Sequence, residues 1–199
     1  MRYAHLLFTA AEPDAAAWRL VLLLALRRGE LGGLTWSATN LEARTLEIRQ
    51  TIINDGHGRP VVSVPKTPGS RRTLDFDATS AAALKSHRRR QLEERLALGI
   101  RRDYDLVFAQ PDREPFPPGW WTRRWAALVK RSGLPRIRLH DARHTWASLA
   151  LAQGVHVKVV QERLGHSSPM QTLATYSHVS PGLGRQAGEQ IAALVDGLQ

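Results

Sequence analysis

Residues 139–168 read LHDARHTWASLALAQGVHVKVVQERLGHSS, and apolar side chains recur in them every three to four positions. This spacing predicts two amphipathic helices, over His140–Gln153 and Val155–Leu164. Gly154 and Gly165 stand where each helix is expected to stop, because glycine readily adopts the left-handed conformation that closes a helix. The segment therefore predicts a pair of helices that ends at a histidine-bearing turn.

The first of these helices carries a histidine and an arginine on one face. His140 and Arg143 are three positions apart, a spacing that suits phosphoryl transfer: the histidine moves a proton and the arginine neutralises developing charge. The same pair also suits a helix that merely lies along a nucleic acid. His140 and His144 have the spacing of two zinc ligands, but Asp141 stands where zinc proteases have glutamate, and no third ligand is evident. We therefore expect no metal.

Composition limits the classes of function. The chain has 199 residues, no cysteine and a formal charge of +10. The lack of cysteine excludes a disulfide scaffold, a thiolate metal site and a cysteine nucleophile. No apolar run approaches the ~20 residues that cross a bilayer, and no signal-peptide pattern is present, so we expect no membrane partner. Residues 120–178 carry a net charge of +7, against +1 for residues 1–44, which indicates where a polyanion would bind.

A β region precedes these helices. Leu46, Ile48, Gln50 and Ile52 alternate with polar side chains, which is the period of a strand, and further strands are expected over 61–64 and 72–76. Loops rich in Gly, Pro and Asn, at 54–58 and 66–70, separate the three strands. We expect a three-stranded antiparallel meander.

Helices are predicted on both sides of this sheet. They cover residues 14–28, 30–34 (a short turn), 78–98, 119–132 and 183–198. The sum is an α+β, mainly α, fold in which helices surround a small sheet within one domain, residues 1–199.

Further candidates for chemistry each have an ordinary explanation when taken singly. Arg27, in LRRGEL, follows an apolar helix, where an arginine side chain is usually solvated. Glu30, three positions later, could nevertheless fix its guanidinium for phosphate binding. Lys66, in PKTPGS, has the setting of a solvated loop residue. His166, in LGHSS, suits a helix end, and Tyr176, in TYSHV, suits packing.

The order of these motifs is more informative than any one of them. LRRGEL, the lysine turn, LHDARHTWASLAL, LGHSS and TYSHV, over about Trp18–Val179, resemble the successive boxes of the catalytic domain of tyrosine recombinases, the phage integrase family. The resemblance implies the mainly helical fold of DNA breaking-rejoining enzymes, with a small three-stranded antiparallel sheet. It implies a core at about 14–179 and a C-terminal helix at 182–199. Leu24-Ala25 replace the family's usual Thr-Gly, and we expect the N-terminal core-binding domain to be absent.

The resemblance implies site-specific DNA cleavage and rejoining through a 3′-phosphotyrosyl intermediate. Tyr176 would attack the scissile phosphodiester and release a 5′-hydroxyl, and the 5′-hydroxyl of a partner strand would reverse the step, without ATP, metal or other cofactor. His140 would take the phenol's proton, because a phenol with a pKa near 10 is otherwise a poor nucleophile. Arg27 and Arg143 would brace the non-bridging oxygens.

Three other residues complete the implied site. His166 would donate a hydrogen bond to a non-bridging oxygen, Lys66 would protonate the leaving 5′-oxygen, and Glu30 would orient the guanidinium of Arg27.

Double-stranded DNA is the implied partner. Several basic residues are expected to contact backbone phosphates without reading sequence, namely Arg123, Arg124, Lys130, Arg131, Arg136 and Arg138. Arg88–Arg90 fit a solvated helix face equally well. In this family a C-terminal helix often docks on a neighbouring protomer, so we expect a tetrameric synapse on DNA; packing of that helix on its own domain is the equal alternative. A cytoplasmic, nucleoid-associated protein encoded by a bacterium or phage is the implied setting.

Two other functions stay open on the sequence alone. One is a non-catalytic DNA-binding remnant of an integrase. The other is relaxation of supercoils in the manner of a type IB topoisomerase, which shares the chemistry but exchanges no strands.

Overall fold

Helix α1 (Ala15–Leu24) lies at the centre of the computed structural model, which describes residues 13–64, 70–100, 105–110, 114–133, 135–166, 168, 170, 172, 192 and 193. Six of its ten residues are buried, because its sequence is apolar almost all round. The Trp18 ring packs edge-on against Trp121 and Trp125, with ring centroids 5.7 and 5.5 Å away. This tryptophan cluster anchors the largest apolar core.

The helices agree with the sequence prediction in number and position over the described residues. After α1 come α2 (Arg28–Gly32), α3 (Ala78–Ala97), α4 (Pro118–Arg131), α5 (Leu139–Ala152) and α6 (Val157–Leu164). Helix α1 ends earlier than predicted, because Ala25 adopts a left-handed conformation with φ 54°. The predicted final helix over 183–198 lies outside the described residues, apart from 192 and 193, which are helical.

In the part of the chain that the structure describes, five short strands form two antiparallel sheets. The strands are β1 (Thr39–Asn40), β2 (Thr45–Ile48), β3 (Thr51–Asn54), β4 (Pro60–Ser63) and β5 (Arg72–Asp75). The three-stranded sheet has the order β1-β2-β5, and β3 pairs with β4 as a separate hairpin. The mainly helical fold with a small antiparallel sheet is therefore confirmed.

The predicted meander, in contrast, is wrong in its pairing. The single strand expected over 46–52 divides into β2 and β3, so that the third predicted strand pairs with β2 rather than with β4. The division occurs where α2 packs against the chain: a Cβ on Gly33 would stand only 2.8 Å from the Gln50 carbonyl oxygen. The close approach of α2 leaves no room for a straight strand through this point.

A second apolar cluster joins the end of α1 to α5 and α6. Its buried members are Ala25, Ala147, Leu151, Val160 and Leu164. This cluster holds the C-terminal end of α6 against the link between α1 and α2, where two of the predicted boxes meet. Within the described part of the chain, every helix is too short or too polar to traverse a lipid bilayer.

Candidate active site

The C-terminal end of α6 is the point on which three arginines converge. The backbone carbonyls of residues 163–165 accept hydrogen bonds from Arg72 Nε, Arg143 Nη2 and Arg27 Nη2, in that order. The first of these bonds is 2.7 Å long and the third 3.3 Å. Carbonyls at a helix C-terminus lack intrahelical partners and carry partial negative charge, so they stabilise cations there.

Arg27 is fixed at the start of α2 by Glu30. The backbone N–H of Arg27 donates to Glu30 Oε2 at 2.9 Å, and its Nη1 donates to Oε1 at 2.7 Å. Burial raises the pKa of the Glu30 carboxyl, but hydrogen bonds and charges from Arg72 and Arg27 outweigh burial and hold that pKa below its ordinary value. Glu30 is therefore ionised, and 38% of the Arg27 side chain stays open to solvent.

Arg143 extends from α5 into the interior. Only 3% of the residue is exposed, and its Nη1 donates to the Ala25 carbonyl oxygen at 2.7 Å. Arg143 thus ties the left-handed turn after α1 to the end of α6. Because the guanidinium has its donors in a rigid fork, these two carbonyls fix its plane.

His166 follows directly after the helix end at Gly165. Its backbone N–H donates to the Gln161 carbonyl at 3.1 Å, and its Nδ1 lies 3.0 Å from Thr172 Oγ1. Burial, followed by the charges of Arg143 and Arg27, lowers the pKa of His166 to about 4. The ring is therefore neutral at pH 7. When Thr172 donates to Nδ1, the ring proton is on Nε2, which is then a hydrogen-bond donor.

His140 lies in the first turn of α5. Its ring meets that of His144 edge-on, with centroids 4.7 Å apart. Burial, His144 and Arg143 lower the pKa of His140, so that its imidazole is neutral at pH 7 and can accept a proton. Over the residues that the structure describes, no three His, Cys, Asp or Glu side chains are grouped as a metal would require.

Four of the six residues predicted to be catalytic surround the end of α6. Arg27, Arg143 and His166 adjoin the helix end itself, and His140 lines the same groove as Arg27. Lys66 and Tyr176 lie outside the described residues, so the structure tests neither their positions nor their roles.

The sequence profile of the phage integrase family matches residues 2–182. The chain belongs to this family. A XerC-like tyrosine recombinase of Caldanaerobacter subterraneus is 32% identical over 180 residues, covering 83% of this chain and 46% of the relative. The ICEBs1 integrase of Bacillus subtilis is 30% identical over 178 residues, covering 89% and 48%. This integrase-family chain thus spans about half the length of these relatives.

Solved structures show the same fold. The Tn1549 transposon integrase in complex with transposon right end DNA superposes with a TM-score of 0.80 at 20% identity, over 96% of this chain and 63% of that one. The XerA recombinase gives a TM-score of 0.68 at 23% identity, over 95% and 61%. The family and fold predicted from the order of motifs are confirmed.

At the end of α1, Leu24 and Ala25 replace the family's usual Thr-Gly. Ala25 holds the glycine position and still adopts the left-handed conformation, with φ 54° and ψ 37°. An L-residue there carries strain of roughly 1–2 kcal/mol. Packing in the second apolar cluster, where Ala25 is fully buried, stabilises it in spite of this strain.

An open groove borders this integrase-family site on its basic side. Its volume is about 740 Å³, and it is lined by the cations Arg27, Arg28, Arg136 and Arg138 together with the neutral ring of His140. Arg136 and Arg138, two of the predicted phosphate-contacting residues, therefore lie beside the site. Lys130 lines an adjoining cavity together with them.

The other predicted phosphate contacts lie on α4. Arg123 and Arg131 are exposed there. Arg124 instead pairs with Asp14, with 2.7 Å between Nη2 and Oδ2, so its charge is partly neutralised within the chain. Of the more ambiguous run on α3, Arg88 stacks over Trp36 at 5.0 Å.

Arg72 is the residue at this site that the sequence analysis missed. It donates to both carboxylate oxygens of Glu30 at 2.9 Å, and only 7% of its side chain is exposed. A signal was present: Arg72 shares the period-two face of Leu74 and Phe76, both of which are buried. A positively charged side chain on the same strand face as buried apolar residues needs a buried carboxylate as its partner.

Proposed function

We propose that this integrase-family chain cleaves and rejoins DNA at specific sites by transesterification, through a 3′-phosphotyrosyl intermediate. The observation that carries the proposal is the attachment of two guanidinium groups, of Arg27 and Arg143, to consecutive carbonyls of one helix end. Two cations fixed side by side can grip the non-bridging oxygens of a phosphodiester, on which charge accumulates during nucleophilic attack. A mobile pair would first have to be ordered.

The two arginines have complementary surroundings. Arg143 is 3% exposed and has two carbonyl partners, whereas 38% of the Arg27 side chain is open toward solvent. Arg27 also lines the basic groove, so a phosphate that enters the groove comes within reach of its free face. This difference in exposure supports direct binding of the phosphate by Arg27. It supports a role for Arg143 in stabilising the developing negative charge from the protein interior.

The two imidazoles supply complementary proton chemistry. A neutral His140 accepts the proton of the attacking phenol, and a neutral His166 donates from Nε2 to a non-bridging oxygen. Lowered pKa values of both rings support these roles, because a protonated His140 could not act as a base. The surrounding guanidinium charges are a cause of both shifts.

Tyr176 and Lys66 complete the proposed reaction. The phenolic oxygen of Tyr176 forms a bond to phosphorus while the bond to the 5′-oxygen breaks, and Lys66 protonates that leaving oxygen. A free 5′-hydroxyl then attacks the phosphotyrosine and restores the phosphodiester. Since the bond energy is retained in the covalent intermediate, the reaction needs no ATP or other cofactor.

Double-stranded DNA is the proposed substrate and partner. Arg136 and Arg138 beside the groove, with the exposed cations of α4, would contact backbone phosphates and make binding depend on salt. The same proposal includes a single catalytic domain, a tetrameric synapse formed through residues 182–199, and a cytoplasmic, nucleoid-associated setting. A DNA complex of the Tn1549 transposon integrase, which shares this fold, supports the choice of partner.

The experiment that tests this function uses a pool of nicked duplexes whose sequence around the nick is randomised. The nick lets the short 5′-hydroxyl strand diffuse away, so that a covalent protein–DNA adduct accumulates. We expect an adduct with the wild-type chain and with Tyr104→Phe, a matched loss of a phenol elsewhere, but none with Tyr176→Phe. The absence of any wild-type adduct would leave the DNA-binding remnant as the better description.

A second measurement distinguishes a recombinase from a type IB topoisomerase, on the DNA sequence selected from the randomised pool. Exchange of strands between two labelled duplexes supports a recombinase. Relaxation of a supercoiled plasmid without any strand exchange would favour the type IB topoisomerase reading.

A further inference from the structure

Glu30 is shared between two arginines in the protein interior. Its two oxygens receive four hydrogen bonds, two from Arg27 and two from Arg72, with lengths of 2.7–2.9 Å. Only 4% of Glu30 is exposed, so water does not compete for this carboxylate. The position of Glu30, and through it that of Arg27, therefore depends on Arg72 as well.

Arg72 connects three elements at this point. From the start of β5 it reaches Glu30 in α2, and its Nε donates to the carbonyl of Arg163 in the last turn of α6 at 2.7 Å. Its Nη1 also lies 3.3 Å from the Ser70 carbonyl oxygen. With 7% of its side chain exposed, Arg72 is held too deep to contact a DNA strand itself.

We propose that Arg72 is a positioning residue for the transfer reaction: it locks Glu30 to the end of α6 and thereby fixes the guanidinium of Arg27. The inference rests on the proposed function, in which Arg27 grips the scissile phosphate. The position of Arg27 is then fixed relative to that of Arg143, because Arg72, Arg143 and Arg27 bind the consecutive carbonyls of residues 163–165 at the same helix end.

Arg72 also keeps a positive charge available to the substrate. Arg27, Arg72 and Glu30 together carry a net charge of +1, whereas Arg27 and Glu30 alone would be neutral. A carboxylate that is shared with Arg72 leaves more of the Arg27 charge to interact with a phosphate. Geometry and charge can be separated, because lysine keeps the charge of arginine but not its planar fork.

The test compares Arg72→Lys with Arg72→Gln and with the matched control Arg19→Lys. Arg19 also bridges two elements, with Nη2 2.7 Å from Asp77 Oδ1 and Nε 2.9 Å from Ser80 Oγ, but it lies away from the site. The rate of adduct formation is measured at saturating concentrations of nicked duplexes selected by the wild-type chain. The Kd for the same DNA and the Tm are measured alongside.

We expect Arg72→Lys to lower the adduct rate by about 10- to 100-fold, as a displacement of order 1 Å in a reacting group does. The Kd should change by less than about 3-fold, because Arg72 does not reach the DNA, and Arg72→Gln should be slower still, because it also removes the charge. Arg19→Lys should keep the wild-type rate. A wild-type rate in Arg72→Lys, or an equal loss in Arg19→Lys, would overturn the inference.

A double-mutant comparison distinguishes positioning from a general structural role. If Arg72 acts through Arg27, Arg27→Lys/Arg72→Lys should be no slower than Arg27→Lys alone, whereas independent effects would multiply. Glu30→Gln, which keeps the volume of the side chain, carries the same expectation: Arg27→Lys/Glu30→Gln should be no slower than Arg27→Lys alone. All variants are compared at a temperature at which their Tm values show them to be folded.

A readout that needs no catalysis separates this inference from the proposed function. Burial and the charges of Arg143, Arg27, His144 and Arg72 lower the pKa of His166, and lysine at position 72 keeps the charge of Arg72. Release of Arg27 should therefore raise the pKa of His166 in Arg72→Lys, as followed by NMR titration, with no further rise in Arg27→Lys/Arg72→Lys than in Arg27→Lys alone, and Arg19→Lys should leave it unchanged. A wild-type chain without adduct would defeat the proposed function alone. An unchanged His166 pKa in Arg72→Lys would defeat the positioning role alone.

Discussion

The first turns of α2 and α5 have the same construction but different surroundings. In each, an arginine precedes the helix and an acidic residue three positions later accepts its backbone N–H, at 2.9 Å for Arg27 and Glu30 and 2.8 Å for Arg138 and Asp141. The side-chain ion pairs, of 2.7 and 2.9 Å, are also alike. However, the Glu30 side chain is 5% exposed, whereas Arg138 and Asp141 are 77% and 31% exposed.

The comparison shows how burial turns a helix cap into part of a site. A buried carboxylate must be fully paired, so Glu30 binds a second cation, Arg72, and the group becomes a rigid frame for Arg27. The pair at α5 is exposed to solvent, no second cation comparable to Arg72 pairs with it in the described residues, and Arg138 lines the groove. The same local motif therefore forms a buried ion cluster at one helix and a solvent-exposed ion pair at the other.

The largest expected difference between the two pairs is in stability. Glu30→Gln should reduce the free energy of unfolding by about 3–5 kcal/mol, because the buried guanidinium of Arg72 and the partly exposed one of Arg27 lose their counter-charge. Asp141→Asn should cost about 1 kcal/mol or less, since exposed ion pairs contribute little. Urea unfolding at pH 7 measures both. Equal losses would mean that burial does not separate the two pairs.

Substitutions of Arg27 and of Arg138 should also differ in their effects on activity. Arg27→Ala should slow adduct formation at saturating DNA by about 10²–10³-fold, as does removal of one preorganised donor to a developing charge. Arg138→Ala should instead weaken DNA binding and lower the salt dependence by about one phosphate contact. Single-turnover rates and Kd values at several salt concentrations test this. A larger rate loss in Arg138→Ala would reverse the assignment.

A smaller effect is expected in the pH dependence of stability. Folded His166, with a pKa of about 4, stays neutral while the unfolded chain takes up a proton near pH 6.5, so the free energy of unfolding should fall as the pH drops from 6.5 toward 4. His166→Gln should flatten this slope, and His57→Gln, in an exposed loop, should not. Urea unfolding at pH 7 and pH 5 is the measurement. If the free energy of unfolding depended on pH equally in the wild-type chain and in His166→Gln, the proposed burial of a neutral His166 ring would be contradicted.

The smallest effect is expected at the turn between α1 and α2. Ala25→Gly relieves left-handed strain but removes a buried methyl and increases unfolded-state entropy, so the free energy of unfolding should change by no more than about 1 kcal/mol. The carbonyl that Arg143 binds stays in place, so the adduct rate should be unchanged. A large loss of stability or rate would mean that the Ala25 methyl itself positions the site.

The sequence predicts what depends on local spacing. The helices from α3 onward follow from their 3.6-residue patterns and from glycines at their ends, such as Gly165. The placement of Arg27, Arg143 and His166 around one point follows from the order of the family's boxes. The helix patterns lie within a few residues, whereas the placement of the site residues is implied by a resemblance that spans about Trp18–Val179.

Pairing over long distances is not predictable in this way. Gln50 is polar at a position where strict alternation would have an apolar residue, but one polar residue in a strand pattern does not indicate that α2 divides the strand there. The spacing of Arg27 and Glu30 likewise predicts an ion pair but not its burial. The burial, and the second cation at Arg72, arise only when β5 is brought beside α2.

The most direct test of the account is to identify the residue that carries the DNA. The adduct formed on nicked duplexes is digested with protease and nuclease, and the modified peptide is identified by mass spectrometry. The account predicts a nucleotide attached through its 3′-phosphate to Tyr176. A nucleotide on any other residue, or attachment through a 5′-phosphate, would contradict it.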